Sequence, residues 1–378
     1  MITVFEIPTK IVFGPGSIGR LGDEAVLLGK RPLIVTYPDI RRVGLLDRVV
    51  ENLEEKGISP LVFDEVEPNP RSSTVDRGAR LAREEKVDLV IGLGGGSAMD
   101  TAKGITLGST GSQSIWHYVN LRHTVTGFVP SLIQVPTMAG TGSEVNAGAV
   151  ITNWETHEKV SVPNSCMWAK VAVIDPEVTT TLPEKQTASG GVDIFSHLVE
   201  NYLMPAEALP VNDAIREAIM KIVVKYLPLV LTEPENIEFR TQISWASTIA
   251  MSRLARIGGT VGSMTCHAIE HAVSGYYDVT HGEGLAALLP PWMRHLRPAR
   301  QDRFKLLGEN VFGESDGISA FEDWLDSVGM KLRLRDLGCE LERVDEIAET
   351  TVRTSGRLHL NPVSLDAGAI AGIYREAY

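Results

Sequence analysis

Short apolar runs and helical periodicity alternate along the first half of the chain. The apolar runs are rich in Val, Ile and Leu, which is typical of strands buried in a parallel sheet. Between several of them, apolar residues recur every three or four positions, as on one face of a helix. This alternation predicts a parallel sheet covered by helices. The predicted strands lie within 2–13 and at 31–36, 60–66, 87–93, 132–135 and 171–174, and the predicted helices are 43–56 and 73–85.

The pattern changes near Glu184, after which helical periodicity dominates to the end of the chain. Strands followed by a run of helices favour two domains, the second of them mostly α-helical. We therefore predict an α/β domain over residues 1–183 and a helical domain over residues 184–378. The predicted helices of the second domain are 185–203, 211–227, 236–256, 264–274, 284–297, 317–328 and 341–353.

Composition limits the classes of partner and the compartment. The 378 residues carry a formal net charge of −12, which disfavours binding to nucleic acid or to an anionic membrane surface. No apolar stretch approaches the length of about 20 residues that spans a bilayer, and the N-terminus shows no secretory signal. The three cysteines are scattered and predict no disulfide framework, so the expected location is the cytoplasm.

Five side chains suit a metal site. His267 and His271 are four residues apart, which places them on one face of a helix, and His281 follows in a turn-rich segment. Asp193 and His197 have the same spacing in another helical run. One carboxylate and several imidazoles suit Zn²⁺ or Fe²⁺. Any single histidine is more easily explained as a core residue, but two such pairs together favour a metal site. The spacing leaves open which four of the five residues bind the metal.

Two loops rich in small residues suit a nucleotide. The strand at 87–93 runs into Gly92-Leu-Gly-Gly-Gly-Ser97 and then a helical segment. Backbone N–H groups at such a turn can cradle a phosphate, although the turn lacks the standard dinucleotide fingerprint because Ser97 occupies its third glycine position. A second loop, 136–144, carries several hydroxyls and could form the opposite wall. A tight turn without a ligand is the alternative for each loop alone.

Four motifs in this order resemble the iron-containing (group III) alcohol dehydrogenase family. They are Gly-Gly-Gly-Ser-x-x-Asp-x-x-Lys at 94–103, Pro-Thr-x-Ala-Gly-Thr-Gly-Ser-Glu at 136–144, Gly-x-Asp-x-x-x-His at 191–197 and His-x-x-x-His with His-Gly at 267–282. The resemblance covers nearly the whole chain. It implies a Rossmann-like dinucleotide-binding domain with a parallel sheet, an all-α C-terminal metal-binding domain, and an active site in the cleft between them.

The resemblance also assigns roles by motif position. The metal ligands would be Asp193, His197, His267 and His281, and His271 would line the site as a catalytic residue. Assembly as a homodimer or a higher homo-oligomer is an expectation from relatives. The implied contacts with NAD or NADP are Asn69, Gly95, Gly96, Ser97, Asp100, Thr137, Thr141 and Lys159.

The sequence departs from the family pattern in two places. Tyr37 follows the second strand where NAD-preferring relatives often carry Asp, and Asp39 comes two residues later. An acidic residue there would repel a 2′-phosphate, so its displacement leaves NADP open. Arg41 and Arg42 either favour NADP or are simply exposed. Met138 replaces the usual Thr and removes one hydroxyl from the cofactor loop.

The hypothesis is reversible hydride transfer between a small primary alcohol or diol, or the aldehyde, and NAD or NADP, with Fe²⁺ or alternatively Zn²⁺ as a Lewis acid. His271 could relay the proton, since its unperturbed pKa lies near neutrality. A glycerol dehydrogenase or maleylacetate reductase on the same fold is the first alternative. A metal-dependent hydrolase and a nucleotide-binding regulatory protein are further alternatives, and each leaves one of the motif sets without a role.

Overall fold

A computed structural model describes residues 6–119, 125, 128–256 and 264–378. The start of the predicted strand segment 2–13 and part of the loop before 128 lie outside the described residues. The chain forms two compact units, named here the α/β unit and the helical unit. The α/β unit comprises Glu6–Leu182 with Glu235–Ser244, and the helical unit comprises Pro183–Pro234 with Trp245–Tyr378.

A six-stranded sheet forms the centre of the α/β unit. Its strand order is β1-β8-β5-β4-β2-β3, and every pair in it is parallel. Each predicted strand segment contains a strand, and all but the first match their predicted ends within a few residues; in segment 2–13 the strand occupies only the last four residues. The strands are β1 (Lys10–Phe13), β2 (Pro32–Val35), β3 (Leu61–Phe63), β4 (Leu89–Gly94), β5 (Ser131–Pro136) and β8 (Val171–Ile174).

An antiparallel hairpin is an addition that the sequence pattern did not predict. It consists of β6 (Gly148–Asn153) and β7 (Glu158–Pro163), paired in register from Gly148 opposite Pro163 to Asn153 opposite Glu158. The polar turn between them contains His157 with a φ of 55°, in the left-handed region. Val160 and Val162 alternate with polar residues in β7, which is the pattern of a half-buried strand and differs from the uninterrupted apolar runs of the central sheet.

Helices cover both faces of the sheet. Successive residues of the central strands enter opposite cores: Leu33 and Val90 lie in one core with helix residues 75 and 102, whereas Ile34 and Ile91 lie in the other with residues 46 and 49. Burial on both faces explains the uninterrupted apolar runs. The helices of this unit are α1 (Leu21–Ala25), α2 (Leu45–Glu54), α3 (Ser72–Glu84) and α4 (Gly96–Gly108).

Ser17 in one turn and Ser72 or Ser73 before the helix at 73–85 are the residue type that the sequence would favour as helix caps, but neither helix uses them. The residue before α3 is Arg71, in an extended conformation, and no side chain caps that helix; Ser72 is already its first residue. Ser17 likewise begins a short 3-10 helix instead of preceding it, and Gly16 takes the capping position with a φ of 77°. A left-handed conformation at that position favours glycine over serine, which is the physical reason for the difference.

The helical unit is built from α-helices and short 3-10 or π turns, with no strand among its described residues. The predicted fold class is confirmed. Helices α10 and α13 were not predicted, and α7 is divided between the two units. The helices are α5 (Glu184–Leu203), α6 (Pro210–Thr232), α7 (Ile237–Met251), α8 (Thr265–Tyr277), α9 (His281–Leu296), α10 (Gln301–Leu307), α11 (Gly317–Ser327), α12 (Val344–Thr354) and α13 (Ala367–Ala377).

Helix α5 is the central element of the helical unit. It is buried from Thr187 to Leu203 and packs against both α6 and α9. A Cβ atom at Gly191 would lie 2.3 Å from Cδ2 of Leu227, so glycine is needed for the close approach of α6. None of the helices in the described ranges combines the length and the apolar character that a membrane span requires.

Candidate metal centre and nucleotide loops

Three helices of the helical unit bring the five predicted metal-site residues together. Helix α5 carries Asp193 and His197 one turn apart. Helix α8 carries His267 and His271, again one turn apart. Helix α9 begins at His281, shortly after α8 ends in a left-handed residue at position 278. The i,i+4 spacing read from the sequence therefore places both pairs on helix faces, as predicted.

The carboxylate of Asp193 is the centre of the arrangement. Its Oδ1 atom lies 3.5 Å from Nε2 of His197, 3.7 Å from Nε2 of His267 and 3.8 Å from Nε2 of His281. A tetrahedral ion with bonds of about 2.1 Å separates its ligand atoms by about 3.4 Å. The three spacings to Oδ1 are close to that value. Asp193, His197 and His267 offer ligand atoms within 4.8 Å of one another, and His281 offers its Nε2 from the neighbouring group, so an ion beside Oδ1 could reach all three imidazoles after side-chain movement.

Two buried atoms of this set make no hydrogen bond within the described part of the chain. They are Oδ1 of Asp193 and Nε2 of His267, on side chains that are only 5% and 8% exposed. A buried polar atom without a partner is costly, and native proteins rarely leave one. A cation between these atoms would satisfy both, and a carboxylate with imidazoles is a donor set suited to Fe²⁺ or Zn²⁺. The residues present therefore fit the metal that the sequence predicts.

Two glutamates hold the outward-facing nitrogens of the imidazoles. Glu200 contacts Nδ1 of His267, and Glu270 contacts Nδ1 of His281. Both glutamate residues are fully buried. Because a carboxylate accepts a hydrogen bond, each histidine carries a proton on Nδ1, and the neutral ring then directs the lone pair of Nε2 toward Asp193.

Charge governs the protonation of the set. Burial raises the pKa of Asp193, but the nearby imidazoles of His197, His267 and His281 outweigh burial and hold that pKa well below its usual range. Burial lowers the pKa of His267, but Glu200 and Asp193 outweigh it and raise that pKa to about 9. The site thus favours positive charge beside its carboxylates, which is also what a dication provides.

His271 lies at the edge of the group. It is half-buried, and its ring centroid lies 5.5 Å from that of His281. Its nearest ligand atom falls within 4.8 Å of those of Glu270 and His281, whereas Asp193, His197 and His267 form a separate, buried group of the same size. This position suits a residue that exchanges protons with solvent better than one that is enclosed in the centre.

In the α/β unit, the two predicted nucleotide loops lie side by side. They follow the carboxyl ends of neighbouring strands β4 and β5, where Gly94 pairs with Pro136, and the N–H of Thr137 donates to the carbonyl of Gly94. Gly94 has a φ of 152°, which favours glycine. A Cβ atom at Gly96 would lie 2.5 Å from Cγ2 of Thr141. The carboxyl edge of a parallel sheet is where such folds bind nucleotides.

A buried network underlies these loops. Lys103 is fully buried, and its Nζ donates to Oγ of Ser143, Oδ1 of Asn146 and the carbonyl of Gly148. Burial lowers the pKa of Lys103 to about 8. Asp100, predicted as a cofactor contact, accepts from Oγ of Ser143 at 2.6 Å and from the N–H of residue 150 at 2.8 Å. Its carboxylate therefore holds the second loop in place.

Three other residues of interest lie near the same edge. Asn69 has a φ of 49° and its Oδ1 accepts from Nζ of Lys159 at 2.8 Å, so these two predicted contacts form a pair. Tyr37 hydrogen-bonds to the side chain of Thr137, and burial raises the pKa of Tyr37. The remaining predicted contacts, Gly95 and Ser97, lie at the start of α4.

Sequence reasoning missed three buried charged residues. Glu200 lies seven residues after Asp193 and Glu270 three after His267, so helical spacing alone puts each on the face of a predicted ligand. Lys103 closes the motif at 94–103, which assigns it no contact. The helical spacing and the motif are visible in the sequence, but a glutamate or lysine on a helix is usually exposed to solvent. Only burial, which the sequence does not show, distinguishes these three residues from exposed ones.

Comparisons with known proteins agree with this architecture. The iron-containing alcohol dehydrogenase family model matches residues 8–176, and the C-terminal model of the Fe-containing alcohol dehydrogenase family matches residues 187–378. The chain belongs to the iron-containing alcohol dehydrogenase family. The predicted family and the prediction of an enzyme are confirmed.

Individual relatives match along their full lengths. NADH-dependent butanol dehydrogenase A of Clostridium acetobutylicum is 36% identical over 99% of both chains. The 1,3-propanediol dehydrogenase of Klebsiella pneumoniae is 32% identical, covering 99% of this chain and 98% of its own. The crystal structure of NADH-dependent butanol dehydrogenase A from Thermotoga maritima superposes with a TM-score of 0.95 at 32% identity, over 100% of this chain and 98% of the other.

Proposed function

We propose that this protein is a metal-dependent alcohol dehydrogenase and aldehyde reductase that transfers hydride reversibly between a small primary alcohol or diol and NAD or NADP. Family membership and the butanol and 1,3-propanediol dehydrogenases among its relatives support this class of substrate. The observation that carries the proposal is the set of three Nε2 atoms within 3.8 Å of Oδ1 of Asp193.

In the proposed site, Asp193, His197, His267 and His281 hold Fe²⁺, with Zn²⁺ as the alternative. When bound, the dication supplies Lewis acidity toward the oxygen of the alcohol or aldehyde. The protein's own contribution is to present one carboxylate oxygen and three imidazole nitrogens in a buried pocket of fixed geometry. Rigid helices α5, α8 and α9 carry these side chains, which limits the rearrangement needed on binding.

We assign proton exchange to His271. The alcohol loses a proton as its carbon gives up hydride, and that proton needs a route from a buried site to water. His271 is half-buried beside His281, so its ring can reach both the site and solvent. A neutral imidazole can accept a proton on one nitrogen and release one from the other, which makes it suited to this relay.

The proposed nucleotide site is the carboxyl edge of the parallel sheet in the α/β unit. Backbone N–H groups at the start of α4 suit the phosphates, and the adjoining hydroxyl-bearing loop suits the sugar. Supporting this, the two loops are hydrogen-bonded to each other. The proposed contacts are Asn69, Gly95, Gly96, Ser97, Asp100, Thr137, Thr141 and Lys159.

We further propose two functional domains, 1–183 and 184–378, a cytoplasmic location and a homodimeric or higher assembly. The family models, which meet between residues 176 and 187, support the domain limits. Three cysteines with free thiols support a reducing compartment. The assembly rests on the family alone, and light scattering of the purified protein will test it.

The central experiment follows the absorbance of NADH and of NADPH with a panel of small aldehydes and diols. The protein is stripped of metal and then supplied with Fe²⁺ or Zn²⁺. We expect oxidation of the reduced nucleotide only after metal addition. Asp193→Ala and His267→Ala should lose both bound metal and activity, while exposed Lys305→Met should retain both.

Each outcome separates one alternative. Turnover of glycerol or maleylacetate in preference to simple aldehydes would identify the protein as a glycerol dehydrogenase or a maleylacetate reductase of the same fold. Metal-dependent hydrolysis without any change in nucleotide absorbance would support a hydrolase. Retention of metal and activity in both Asp193→Ala and His267→Ala would show that the metal-site assignment is wrong.

A further inference from the structure

We propose that Glu200 and Glu270 are positioning residues of the metal centre: each orients one imidazole so that its Nε2 faces the ion. This inference rests on the proposed function and extends it to residues outside the ligand set. Both glutamates are fully buried, and each contacts Nδ1 of a different predicted ligand, His267 or His281. The same contact thus occurs twice, from two different helices.

Glu200 connects two helices. It lies on α5 with Asp193 and His197, at helical spacing on the same face. One carboxylate oxygen contacts Nδ1 of His267, and the other accepts from the N–H of Cys266 at 2.7 Å. That N–H belongs to the first turn of α8, which has no acceptor within its own helix. Glu200 therefore fixes both the start of α8 and the ring that α8 carries.

Glu270 connects α8 to α9. One of its oxygens contacts Nδ1 of His281, and the other accepts from Oγ of Ser274. A Cβ atom at Gly284 would lie 2.8 Å from Cγ and Oε1 of Glu270, so α9 lies directly against this side chain. The glutamate has no room for another rotamer on that side. Its position, and with it that of the His281 ring, is set by packing as well as by hydrogen bonds.

The chemical consequence concerns the tautomer and the basicity of each imidazole. A carboxylate accepts only, so Nδ1 of its partner carries a proton, and the neutral ring that binds a metal offers its lone pair on Nε2. The negative charge also increases electron density on the ring, which strengthens Nε2 as a ligand. Loss of such a partner typically weakens metal binding by about 10- to 100-fold.

The hydrogen bonds make Glu270 the better residue for a test. In Glu270→Gln, the amide oxygen can still accept from His281, and the amide NH₂ can donate to Ser274, whose hydroxyl can turn to the carbonyl of Val279 at 3.1 Å. This variant loses the charge and keeps the bonds. In Glu200→Gln, one of the two acceptors is lost, so either His267 or the N–H of Cys266 is left unsatisfied.

The experiment measures Zn²⁺ affinity by chelator competition and records the visible spectrum of the Co²⁺-substituted protein. We expect Glu270→Gln to bind Zn²⁺ about 10-fold more weakly and Glu270→Leu about 100-fold more weakly. The Co²⁺ absorption bands should keep their positions in Glu270→Gln and shift in Glu270→Leu. Partial rescue by glutamine and a changed Co²⁺ spectrum are not expected if the glutamate only supports the fold.

Glu217→Gln is the matched control. Glu217 is a half-buried glutamate of the same unit that accepts from the hydroxyl of Tyr202 at 2.7 Å and from Asn310 at 2.9 Å. It makes no contact with the metal set in the described structure, so Zn²⁺ affinity and the Co²⁺ spectrum should stay unchanged. Thermal unfolding of each metal-free variant verifies that it is folded.

The outcomes separate this inference from the proposed function. If Zn²⁺ binding is lost in Asp193→Ala but equals the wild-type value in Glu270→Leu and Glu200→Gln, the positioning role is refuted and the metal site stands. If Asp193→Ala binds Zn²⁺ as tightly as the wild type, the metal site itself is wrong. Weaker Zn²⁺ binding in both glutamate variants would support the inference, and a difference in Zn²⁺ affinity between the variants would show which contact matters more.

Discussion

The Nζ atom of Lys103 donates a hydrogen bond to Oγ of Ser143, 2.8 Å away, and both residues are buried. This bond ties helix α4, which begins at the glycine-rich loop, to the second nucleotide loop. Asp100 accepts from the same hydroxyl at 2.6 Å, so one serine connects a buried cation to a carboxylate. Buried side chains of α4 therefore hold the two loops of the proposed nucleotide site in place.

We expect Lys103→Met to loosen this connection. Methionine fills a similar volume but removes the donor to Oγ of Ser143 and to the carbonyl of Gly148, whereas Oδ1 of Asn146 still accepts from the N–H of Gly148. The loss of the buried charge and of these bonds should lower the free energy of unfolding by about 3 kcal/mol. The Michaelis constant for the nucleotide should rise about tenfold, which corresponds to about 1.4 kcal/mol. Urea unfolding and steady-state kinetics measure the two effects.

The control for that prediction is Lys170→Met. Lys170 is exposed in the same unit, so its replacement should change the free energy of unfolding by no more than about 0.5 kcal/mol. A Lys103→Met protein with unchanged stability and unchanged nucleotide affinity would mean that the buried amine does not organise the loops.

Gly282, the residue after His281, is predicted to tolerate no side chain. A Cβ atom there would lie 2.1 Å from the carbonyl oxygen of Ser189 on α5. Gly282→Ala must push α9 away from α5, and such overpacking costs about 3 kcal/mol at the upper end of its usual range. Because α9 carries His281, Zn²⁺ affinity should fall with stability; calorimetry and chelator competition measure both.

Gly372→Ala makes the same chemical change in an open place. Gly372 lies within α13, and apart from its two chain neighbours and the nearby backbone of its own helix, no atom of the described residues lies within 4 Å of the added Cβ. Alanine is the better helix former by about 1 kcal/mol, so this variant should be neutral or slightly more stable, with unchanged Zn²⁺ affinity. Equal behaviour of the two variants would rule out the proposed close contact.

The fold was largely predictable because its strands are buried on both faces. Residues such as Ile34 and Leu33 enter different cores, and that requirement produces an uninterrupted apolar run. The β6–β7 hairpin lacks this property. Its strands are partly exposed and carry polar residues such as Lys159 and Ser161, so its signal is alternation over a few residues and not an uninterrupted apolar run.

The site was predictable to the extent that helical spacing brings ligands together. Asp193 with His197 shows i,i+4 geometry directly in the sequence, but the meeting of α5 with α8 depends on tertiary packing that no local pattern contains. The roles of Glu200 and Glu270 depend on burial. A glutamate that is three or seven residues from a ligand is common, and only the absence of solvent gives these two their effect.

The choice between NAD and NADP is expected to depend on Asp39. Asp39 pairs with Arg42 at 3.2 Å, and Arg41 lies 3.6 Å from Asp64, so both arginines near the end of β2 face carboxylates. Asp39→Asn should free the positive charge of Arg42 and favour a 2′-phosphate. One exposed charge is worth about 1 kcal/mol, so the ratio of kcat/KM for NADPH to that for NADH should rise about fivefold.

Glu85→Gln, an equally conservative loss of one exposed acid in the same unit, should leave that ratio unchanged. Steady-state reduction of one aldehyde with each nucleotide provides both ratios. An unchanged ratio in Asp39→Asn would show that this end of β2 does not contact the ribose, and an equal rise in Glu85→Gln would indicate an effect of net charge.

Acid stability of the helical unit is expected to depend on Asp213. Its two oxygens accept from Nη1 and Nη2 of Arg303 at 2.7 and 2.9 Å, and both residues are buried. Burial raises the pKa of Asp213, but the hydrogen bonds from Arg303 and from the N–H of Leu209 outweigh it and hold that pKa below its ordinary value of 3.8. Asp213→Asn leaves a buried guanidinium unpaired, which should cost about 3 to 5 kcal/mol at neutral pH.

The sign of the pH dependence follows from this direction. Because the folded protein binds the proton of Asp213 more weakly than the unfolded chain does, the stabilising contribution is complete above about pH 4 and is lost as the pH falls through the folded value. The difference in unfolding free energy between wild type and Asp213→Asn should therefore narrow below pH 4. Exposed Asp323→Asn should show a small difference, within about 0.5 kcal/mol. Urea unfolding from pH 3 to pH 7 measures these differences, and a wild-type advantage that grew toward acid would contradict a lowered carboxyl pKa.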